Sequence, residues 1–220
     1  MIDNLKNKIL RILSGQIDED VIKANNTEVT DPEYFFKSPR AVGYDTTQEQ
    51  MSLFLNILFG YDPSRDSLID IGAGRGDLYD FIREFYTAEN FDYYGIEQNP
   101  TLSNAAAERY GINLTNSVFT KNTKLPNKDW VVACAYFFET RNKEEHEDLQ
   151  QLLDEVDTMY NSANIAVAFN LLSPINNDLH EGHFYVHPGL ILDMMIERYK
   201  YVSIKHNYSN SIYTITIYKY

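Results

Sequence analysis

Three glycines at alternate positions, Gly72, Gly74 and Gly76, follow a short apolar run that contains Asp70. Such a turn between a strand and a helix lets a ligand approach the bare backbone. A dinucleotide fold has the spacing G-x-G-x-x-G, whose third glycine would fall at residue 77, where this chain has Asp77. We expect Asp77 to cap the following helix, where its carboxylate would occupy the place of a pyrophosphate. The turn therefore favours a ligand without phosphate.

A second acidic residue, Glu97, ends the next predicted strand, 21 residues after Gly76. A carboxylate at the carboxyl end of a neighbouring parallel strand can accept hydrogen bonds from both hydroxyls of a ribose. A nucleoside with a cationic tail would suit Asp70, the glycine turn and Glu97 together. Two plainer interpretations stay open: the glycines could form only a tight connection, and Glu97 could be a solvated strand end.

The elements that must position these residues alternate along the chain after about residue 65. Apolar runs predict strands at 67–71, 91–96, 130–138, 165–172, 201–205 and 212–218, and helical patterns lie at 77–86, 101–110, 144–160 and 188–200. This alternation predicts a parallel sheet that is covered on both faces. The last two strands are separated only by residues 206–211, which are too few for a crossover helix, so they must pair antiparallel.

The chain before residue 65 has a helical texture. Apolar residues recur at spacings of three or four over residues 2–13, and a second helix is predicted over 51–59 after a cap at Thr46 or Thr47. The segment 34–44 between them is rich in aromatic residues. We therefore divide the chain into an N-terminal helical cap, residues 1–60, and an α/β core, residues 61–220.

Composition limits the class of partner. The chain carries 32 acidic and 19 basic side chains, a net charge of −13, which argues against nucleic acid as the substrate. No run of 18 apolar residues predicts a membrane span, and no apolar leader opens the chain. Cys134 is the only cysteine, so we predict no internal disulfide, a reducing cytoplasmic location and a core position for Cys134 itself.

Three histidines, His180, His183 and His187, have spacings that a metal could use. They lie in a polar stretch before a predicted helix, so we predict no metal site. One of them could instead cover the substrate or act as a general base.

The sequence D-I-G-A-G-R-G at 70–76 and the G-I-E at 95–97 together resemble the first two motifs of class I S-adenosylmethionine-dependent methyltransferases. The resemblance implies a Rossmann-like seven-stranded sheet that ends in an antiparallel hairpin. It extends over nearly the whole chain for a subgroup of small bacterial and phage methyltransferase-like proteins of unassigned substrate. The matching segments are V-G-Y at 42–44, Gln50, G-D-L at 76–78, F-N-L-L-S at 169–173 and H-N-Y at 206–208.

The resemblance implies S-adenosylmethionine as the cofactor. The residues that would bind it are Asp70, Gly72, Ala73, Gly74, Gly76, Asp77, Leu78, Glu97, Gln98, Ala135 and Tyr136. Many relatives hold the adenine amine with an acidic residue after the third strand, but the stretch 119–124 has none here. Asn122 or backbone groups would have to replace it.

The residues that would face the methyl acceptor are Arg40, Tyr44, Gln50, Phe137, Asn170 and Ser173, although Asn170 and Ser173 could simply satisfy the backbone at a strand end. We expect residues 40–44 and Gln50 to close over the cofactor. The stretch C-A-Y-F-F at 134–138 lacks the prolines of amide-directed DNA methyltransferases, which also argues against a nucleic-acid base as the acceptor.

Three function classes follow. The first is methyl transfer to a small-molecule or protein acceptor. The second is a cofactor-binding interaction protein without catalysis. The third is a nucleotide-linked oxidoreductase, against which the position of Asp77 argues. The sequence predicts no oligomeric state.

Overall fold

The computed structural model describes residues 46–142, 144–175 and 179–220 of the chain. Twelve helices and strands follow each other in these ranges. In chain order they are α1 (Thr47–Ile57), β1 (Leu68–Ile71), α2 (Asp77–Phe85), β2 (Tyr93–Glu97), α3 (Pro100–Tyr110), β3 (Thr115–Asn116), β4 (Lys128–Ala133), α4 (Glu145–Ser162), β5 (Ala163–Leu172), α5 (Pro188–Tyr199), β6 (Val202–Lys205) and β7 (Ile212–Tyr218).

The strands form one sheet in the order β3-β2-β1-β4-β5-β7-β6. The pairs from β3 to β5 are parallel, whereas β7 runs antiparallel to both β5 and β6. The predicted α/β architecture, a parallel sheet that ends in an antiparallel hairpin, is therefore confirmed. Strand β1 lies between β2 and β4, so the chain winds outward from it in both directions. The crevice at this reversal, beyond the carboxyl ends of the strands, is where open α/β sheets bind ligands.

Two strand predictions need correction. The sequence predicted six strands and missed β3, which has only two residues, Thr115 and Asn116. A hydrophobic period cannot reveal so short a strand. The fourth strand ends at Ala133 and does not continue to residue 138. The reason lies at Ala135, whose backbone is in the left-handed region with φ 55° and so cannot continue a strand.

The sheet is buried on both faces, which explains the continuous apolar runs in its strands. Along β4, Val131 points into the cluster formed with α4 and α5, whereas Trp130 points into the cluster formed with α1 and α2. The side chains of α4 and α5 in the first cluster are Leu152, Val156, Met159, Ile191 and Met195, and the buried aromatic residues of α1 and α2 in the second are Phe54, Phe81 and Phe85. These two layers hold the strand ends of the crevice in register.

Thr46, one of the two caps that the sequence suggested for α1, is confirmed, because its Oγ1 accepts a hydrogen bond of 3.1 Å from the Glu49 backbone N–H. The helix runs over Thr47–Ile57, whereas the sequence predicted residues 51–59. The predicted helix at residues 2–13 and the aromatic segment 34–44 lie outside the described residues, so the N-terminal cap and its boundary at residue 60 remain predictions. Within the ranges that are described, no helix is long and apolar enough to cross a membrane.

Candidate active site

The glycine turn after β1 has a conformation that only glycine adopts easily. Gly72, Gly74 and Gly76 have φ angles of 73°, 57° and 82°. A Cβ atom on Gly72 would lie 2.8 Å from Cδ2 of Tyr136, so this glycine also lets the tyrosine ring pack directly on the backbone. The N–H groups of Gly72 and Ala73 both donate to the Ile96 carbonyl oxygen at 2.9 Å. The turn is thereby fixed to the end of β2.

Glu97 is the side chain that holds this turn from the other side. Its Oε2 accepts a hydrogen bond of 2.8 Å from the Gly74 N–H, and its Oε1 accepts one of 2.8 Å from the Asn99 N–H. The residue is 7% exposed. Because a carboxylate oxygen can accept two hydrogen bonds, both atoms keep capacity for a ligand hydroxyl.

Asp70 lies beneath the turn and is almost fully buried, at 2% exposure. Its Oδ2 accepts a hydrogen bond of 2.7 Å from the Tyr93 hydroxyl. Burial raises the pKa of Asp70 to about 7, the Tyr93 hydrogen bond opposes this rise, and the negative charges of Glu97 and Asp77 add to it. Burial and the same contact with Asp70 raise the pKa of Tyr93 well above its ordinary value. The site thus holds a carboxyl group whose charge depends on pH near neutrality.

Asp77 does not cap helix α2, which corrects the sequence prediction. The N-cap is Gly76, in the left-handed region, and Asp77 is the first residue of the helix. Its Oδ2 accepts hydrogen bonds from Arg75 Nε at 2.8 Å and from Gln50 Nε2 at 3.0 Å. Arg109 lies 3.4 Å from the other oxygen. The carboxylate therefore joins the turn to α1 and α3 instead of capping the helix.

A cavity of about 400 Å³ lies at the carboxyl ends of β1, β2 and β4. This volume falls within the range of small-molecule and cofactor sites. The glycine turn and the end of β2 form its first wall, with the predicted residues Gly72, Gly74, Glu97 and Gln98. Ala73, Asp77 and Leu78 lie instead around a smaller pocket of about 50 Å³, which shares Gly72, Gly74 and Cys134 with the cavity.

The second wall of the cavity consists of Leu102, Ser117 and Phe119, none of which the sequence singled out. Asn122, which was a candidate for adenine recognition, lies elsewhere. It lines a separate cavity of about 580 Å³ between the loop after β3 and the first half of α4. The chain turns away from the cofactor-sized cavity after Phe119, a change of direction that spacing alone does not reveal.

The third wall is the loop after β4, with the predicted residues Ala135 and Tyr136. The Tyr136 ring packs edge-on against Phe119, with ring centres 6.0 Å apart. The Arg141 guanidinium lies 4.1 Å from the centre of the Tyr136 ring and donates a hydrogen bond of 2.7 Å to the Tyr136 carbonyl oxygen. Arg141 also pairs with the buried Glu155 at 3.1 Å. This loop is therefore held by a charged group behind the tyrosine.

The residues predicted to face an acceptor do not all gather at the cavity. Gln50 lies beside the smaller pocket through its bond to Asp77, whereas Arg40 and Tyr44 lie outside the described residues. Phe137 is buried in the core between the sheet and α4. Asn170 and Ser173 are fully buried and line neither the large cavity nor the small pocket. Their part in acceptor binding stays a prediction.

Asn170 has a clear structural task. Its Oδ1 accepts a hydrogen bond of 3.3 Å from the Ala135 N–H, and its Nδ2 donates to Thr214 Oγ1 at 2.8 Å and lies 3.4 Å from the Tyr208 hydroxyl. The amide thus connects the C-terminal hairpin to the third wall of the cavity. It also satisfies the backbone N–H that leaves the sheet where β4 ends.

Replacing Asn170 with alanine should lower the free energy of unfolding by about 1–3 kcal/mol, because it leaves buried hydrogen-bonding groups without partners. Urea unfolding would measure the loss, with Asn164→Ala at an exposed position as the control. An Asn170→Ala protein as stable as the control would contradict this structural task.

The open end of the cavity is formed by Phe138, Glu139 and His183. His183 belongs to the histidine group noted in the sequence, whereas nothing in the sequence marks Phe138 or Glu139. His187 caps α5 instead, since its Nδ1 accepts a hydrogen bond of 3.1 Å from the Gly189 N–H. Among the described residues, no three His, Cys, Asp or Glu side chains are placed to hold a metal ion.

Solved structures with this architecture are numerous, although no protein-family model and no curated protein matches the sequence. Magnesium protoporphyrin IX methyltransferase (ChlM) from Synechocystis PCC 6803, solved with bound SAM, superposes with a TM-score of 0.54 at 11% identity over 97% of this chain and 96% of that one. The CcbJ methyltransferase from Streptomyces caelestis gives 0.54 at 10% identity over 76% and 88%. A SAM-dependent methyltransferase from Aquifex aeolicus gives 0.50 at 14% over 87% and 95%. By strand order, sheet polarity and this likeness, the chain has the fold of the class I S-adenosylmethionine-dependent methyltransferases.

Proposed function

We propose that the protein binds S-adenosylmethionine and transfers its methyl group to a small-molecule or protein acceptor. One observation carries the proposal. A single cavity joins the glycine turn and Glu97 to an open end with polar side chains. The glycine turn and Glu97 suit a nucleoside, and the open end can admit an acceptor. The likeness to methyltransferases with bound SAM supports the same assignment.

The described residues fit this cofactor. Glu97 has carboxylate oxygens with capacity for the ribose hydroxyls, and the glycine turn presents bare backbone to the cavity at Gly74, where the methionine half would lie. The second wall offers the apolar side chains of Leu102 and Phe119 to the adenine ring, together with the Ser117 hydroxyl. Adenine would then be recognised mainly by packing, in place of the acidic residue that many relatives have after the third strand.

Methyl transfer requires few catalytic groups from the protein. When bound, S-adenosylmethionine would supply a methyl group on a positively charged sulfur: the acceptor nucleophile would bond to the methyl carbon as the carbon–sulfur bond breaks in line, and S-adenosylhomocysteine would leave. The contribution of the protein is to orient the acceptor and to exclude water from the site. The hydrogen bonds that fix the glycine turn to β2 and the loop after β4 to Asn170 keep the walls in place for this task.

A second candidate is a protein that binds the cofactor without catalysis. The burial of Phe137, Asn170 and Ser173 favours it, because three predicted acceptor residues do not reach the cavity. Incubation with methyl-labelled S-adenosylmethionine and cell extract separates the two candidates. Transfer of label to a product by the unmodified protein, and not by a Glu97→Ala variant, supports catalysis, whereas binding with no transfer supports the alternative.

The binding test is calorimetric titration with S-adenosylhomocysteine and with NAD. Replacing Glu97 with alanine should weaken S-adenosylhomocysteine binding by about 1–3 kcal/mol, because the ribose hydroxyls lose a charged hydrogen-bond acceptor. Glu89→Ala, at an exposed position away from the cavity, is the matched control and should bind normally.

Three results would refute the cofactor assignment. They are tighter binding of NAD, no binding of S-adenosylhomocysteine at millimolar concentration, and an unchanged affinity in a folded Glu97→Ala protein.

A further inference from the structure

The open end of the cavity is built by two segments that are far apart in the sequence. Residues 138–140 follow β4, and residues 182–184 precede α5. The Phe184 N–H donates to the Phe138 carbonyl oxygen at 2.8 Å, and the Thr140 N–H donates to the Gly182 carbonyl oxygen at 2.9 Å. Between these bonds, Glu139 and His183 form an isolated antiparallel bridge. The pairing makes a rigid rim from two otherwise irregular stretches.

The bridge places the Glu139 and His183 side chains next to each other. Directly opposed residues of an antiparallel pair have their Cβ atoms about 4.5–5.5 Å apart on the same side. Both side chains line the cavity and both are exposed. His183 Nδ1 lies 3.4 Å from the Glu181 carbonyl oxygen, which can only accept a hydrogen bond. A neutral ring that donates to this oxygen from Nδ1 has its lone pair on Nε2.

The charge of the cavity has one sign. Glu97 and Glu139 are its acidic lining residues, and no Lys or Arg of the described residues lines it. Arg141, two residues after Glu139, is paired with Glu155 and lies over Tyr136. No described residue forms a salt bridge with Glu139. Such a rim attracts cations and repels carboxylates and phosphates.

The walls beside the rim are aromatic. Phe138 lines the open end, and Tyr136 follows it into the cavity. A flat apolar group can pack against these rings, and an aromatic ring is the natural partner. The site therefore combines an apolar wall with two neighbouring hydrogen-bond acceptors, the Glu139 carboxylate and His183 Nε2.

We propose that the acceptor side of this site binds an amine carried on an aromatic group, with the ammonium donating hydrogen bonds to Glu139 and to His183 Nε2. The inference rests on the proposed function, because it names the class of molecule that enters beside the cofactor. Among the described residues, the rim offers no lysine or arginine that could pair with a carboxylate or a phosphate of an acceptor.

The test is calorimetry on protein saturated with S-adenosylhomocysteine, whose sulfur carries no positive charge. The probes are tyramine and 3-(4-hydroxyphenyl)propionate, which share a phenol ring and differ in carrying an ammonium or a carboxylate. We expect tyramine to bind at least tenfold more tightly. Glu139→Gln removes the negative charge that pairs with the ammonium, and His183→Ala removes the neutral acceptor, so each should reduce tyramine affinity by about tenfold or more.

Glu181→Gln and His180→Ala are the matched controls, since both side chains are exposed on the same segment and neither lines the cavity. They should keep the affinity and the preference for tyramine. Melting temperature and S-adenosylhomocysteine affinity show that each variant is folded.

Equal or stronger binding of the carboxylate, absence of tyramine binding, or a preference that survives Glu139→Gln would overturn the inference while the cofactor assignment stands. Absence of S-adenosylhomocysteine binding would refute both the inference and the cofactor assignment.

Discussion

Replacing Arg141 with alanine should lower the free energy of unfolding by about 3–5 kcal/mol, because it leaves the Glu155 carboxylate buried without its cation. The Glu155 side chain is 1% exposed, and both of its oxygens lie within 3.3 Å of Arg141 Nη1. Burial already raises the pKa of Glu155, and Gln151 and Arg141 oppose this rise. Urea unfolding at pH 7 measures the loss.

Arg65→Ala is the matched control. Arg65 also pairs with a carboxylate at 2.8 Å, that of Asp62, but both side chains are largely exposed. Exposed pairs contribute little, so we expect no measurable loss there. Adding Glu155→Gln to Arg141→Ala should recover part of the stability, since it removes the stranded charge. An Arg141→Ala protein as stable as the Arg65→Ala control would show that the buried Glu155 carboxylate does not need this cation.

The Arg141→Ala variant should also bind S-adenosylhomocysteine more weakly. The guanidinium contacts the face and the carbonyl oxygen of Tyr136, whose ring packs on Gly72. Loss of stability and loss of affinity would then have the same origin, the release of the loop after β4.

The second large effect is a pH dependence of stability that comes from Asp70. Its pKa is raised from 3.8 to about 7 in the folded protein, so the folded state binds one more proton than the unfolded state between these values. Stability therefore falls as pH rises through this window and is constant above it. The difference between the two pKa values corresponds to roughly 4 kcal/mol.

Asp70→Asn removes this titration and keeps an oxygen for the Tyr93 hydroxyl. The unfolding free energy of the variant minus that of the unmodified protein should rise by roughly 4 kcal/mol between pH 4 and pH 8. Subtracting the two free energies cancels the contributions of the other titrating groups. The control is Asp193→Asn on the exposed face of α5, which should show no such rise. A difference that is constant over this range would mean that Asp70 titrates normally.

Saturating S-adenosylhomocysteine extends the same experiment to the proposed function. A cationic group of the ligand beside Asp70 favours the ionised carboxyl. Bound ligand should then lower the pKa of Asp70 in the folded protein, so the upper limit of the pH range over which stability falls should move to lower pH.

The local features of the fold could be predicted from the sequence, because each depends on neighbours along the chain. Strand and helix periods indicated the alternation of the core, and the short 206–211 connection required an antiparallel end. Thr46 was recognisable as a cap, and the glycines as a turn that only glycine adopts easily. The position of Glu97 beside that turn followed from parallel strand order, since the carboxyl ends of such strands meet at one edge.

Features that depend on contacts between distant segments were decided by the tertiary structure. Spacing suggested that Asp77 caps α2, but Arg75, Gln50 and Arg109 converge on its carboxylate. The rim pair Glu139–His183 joins residues 44 positions apart through a bridge that no local pattern announces. The sequence by itself therefore determined the order of the longer helices and strands and the glycine turn, but neither the short strand β3 nor the end of β4. Packing decided which side chains share a wall of the cavity. Contacts between segments that are distant in the sequence can end a strand or redirect a loop, whatever the local propensity of its residues.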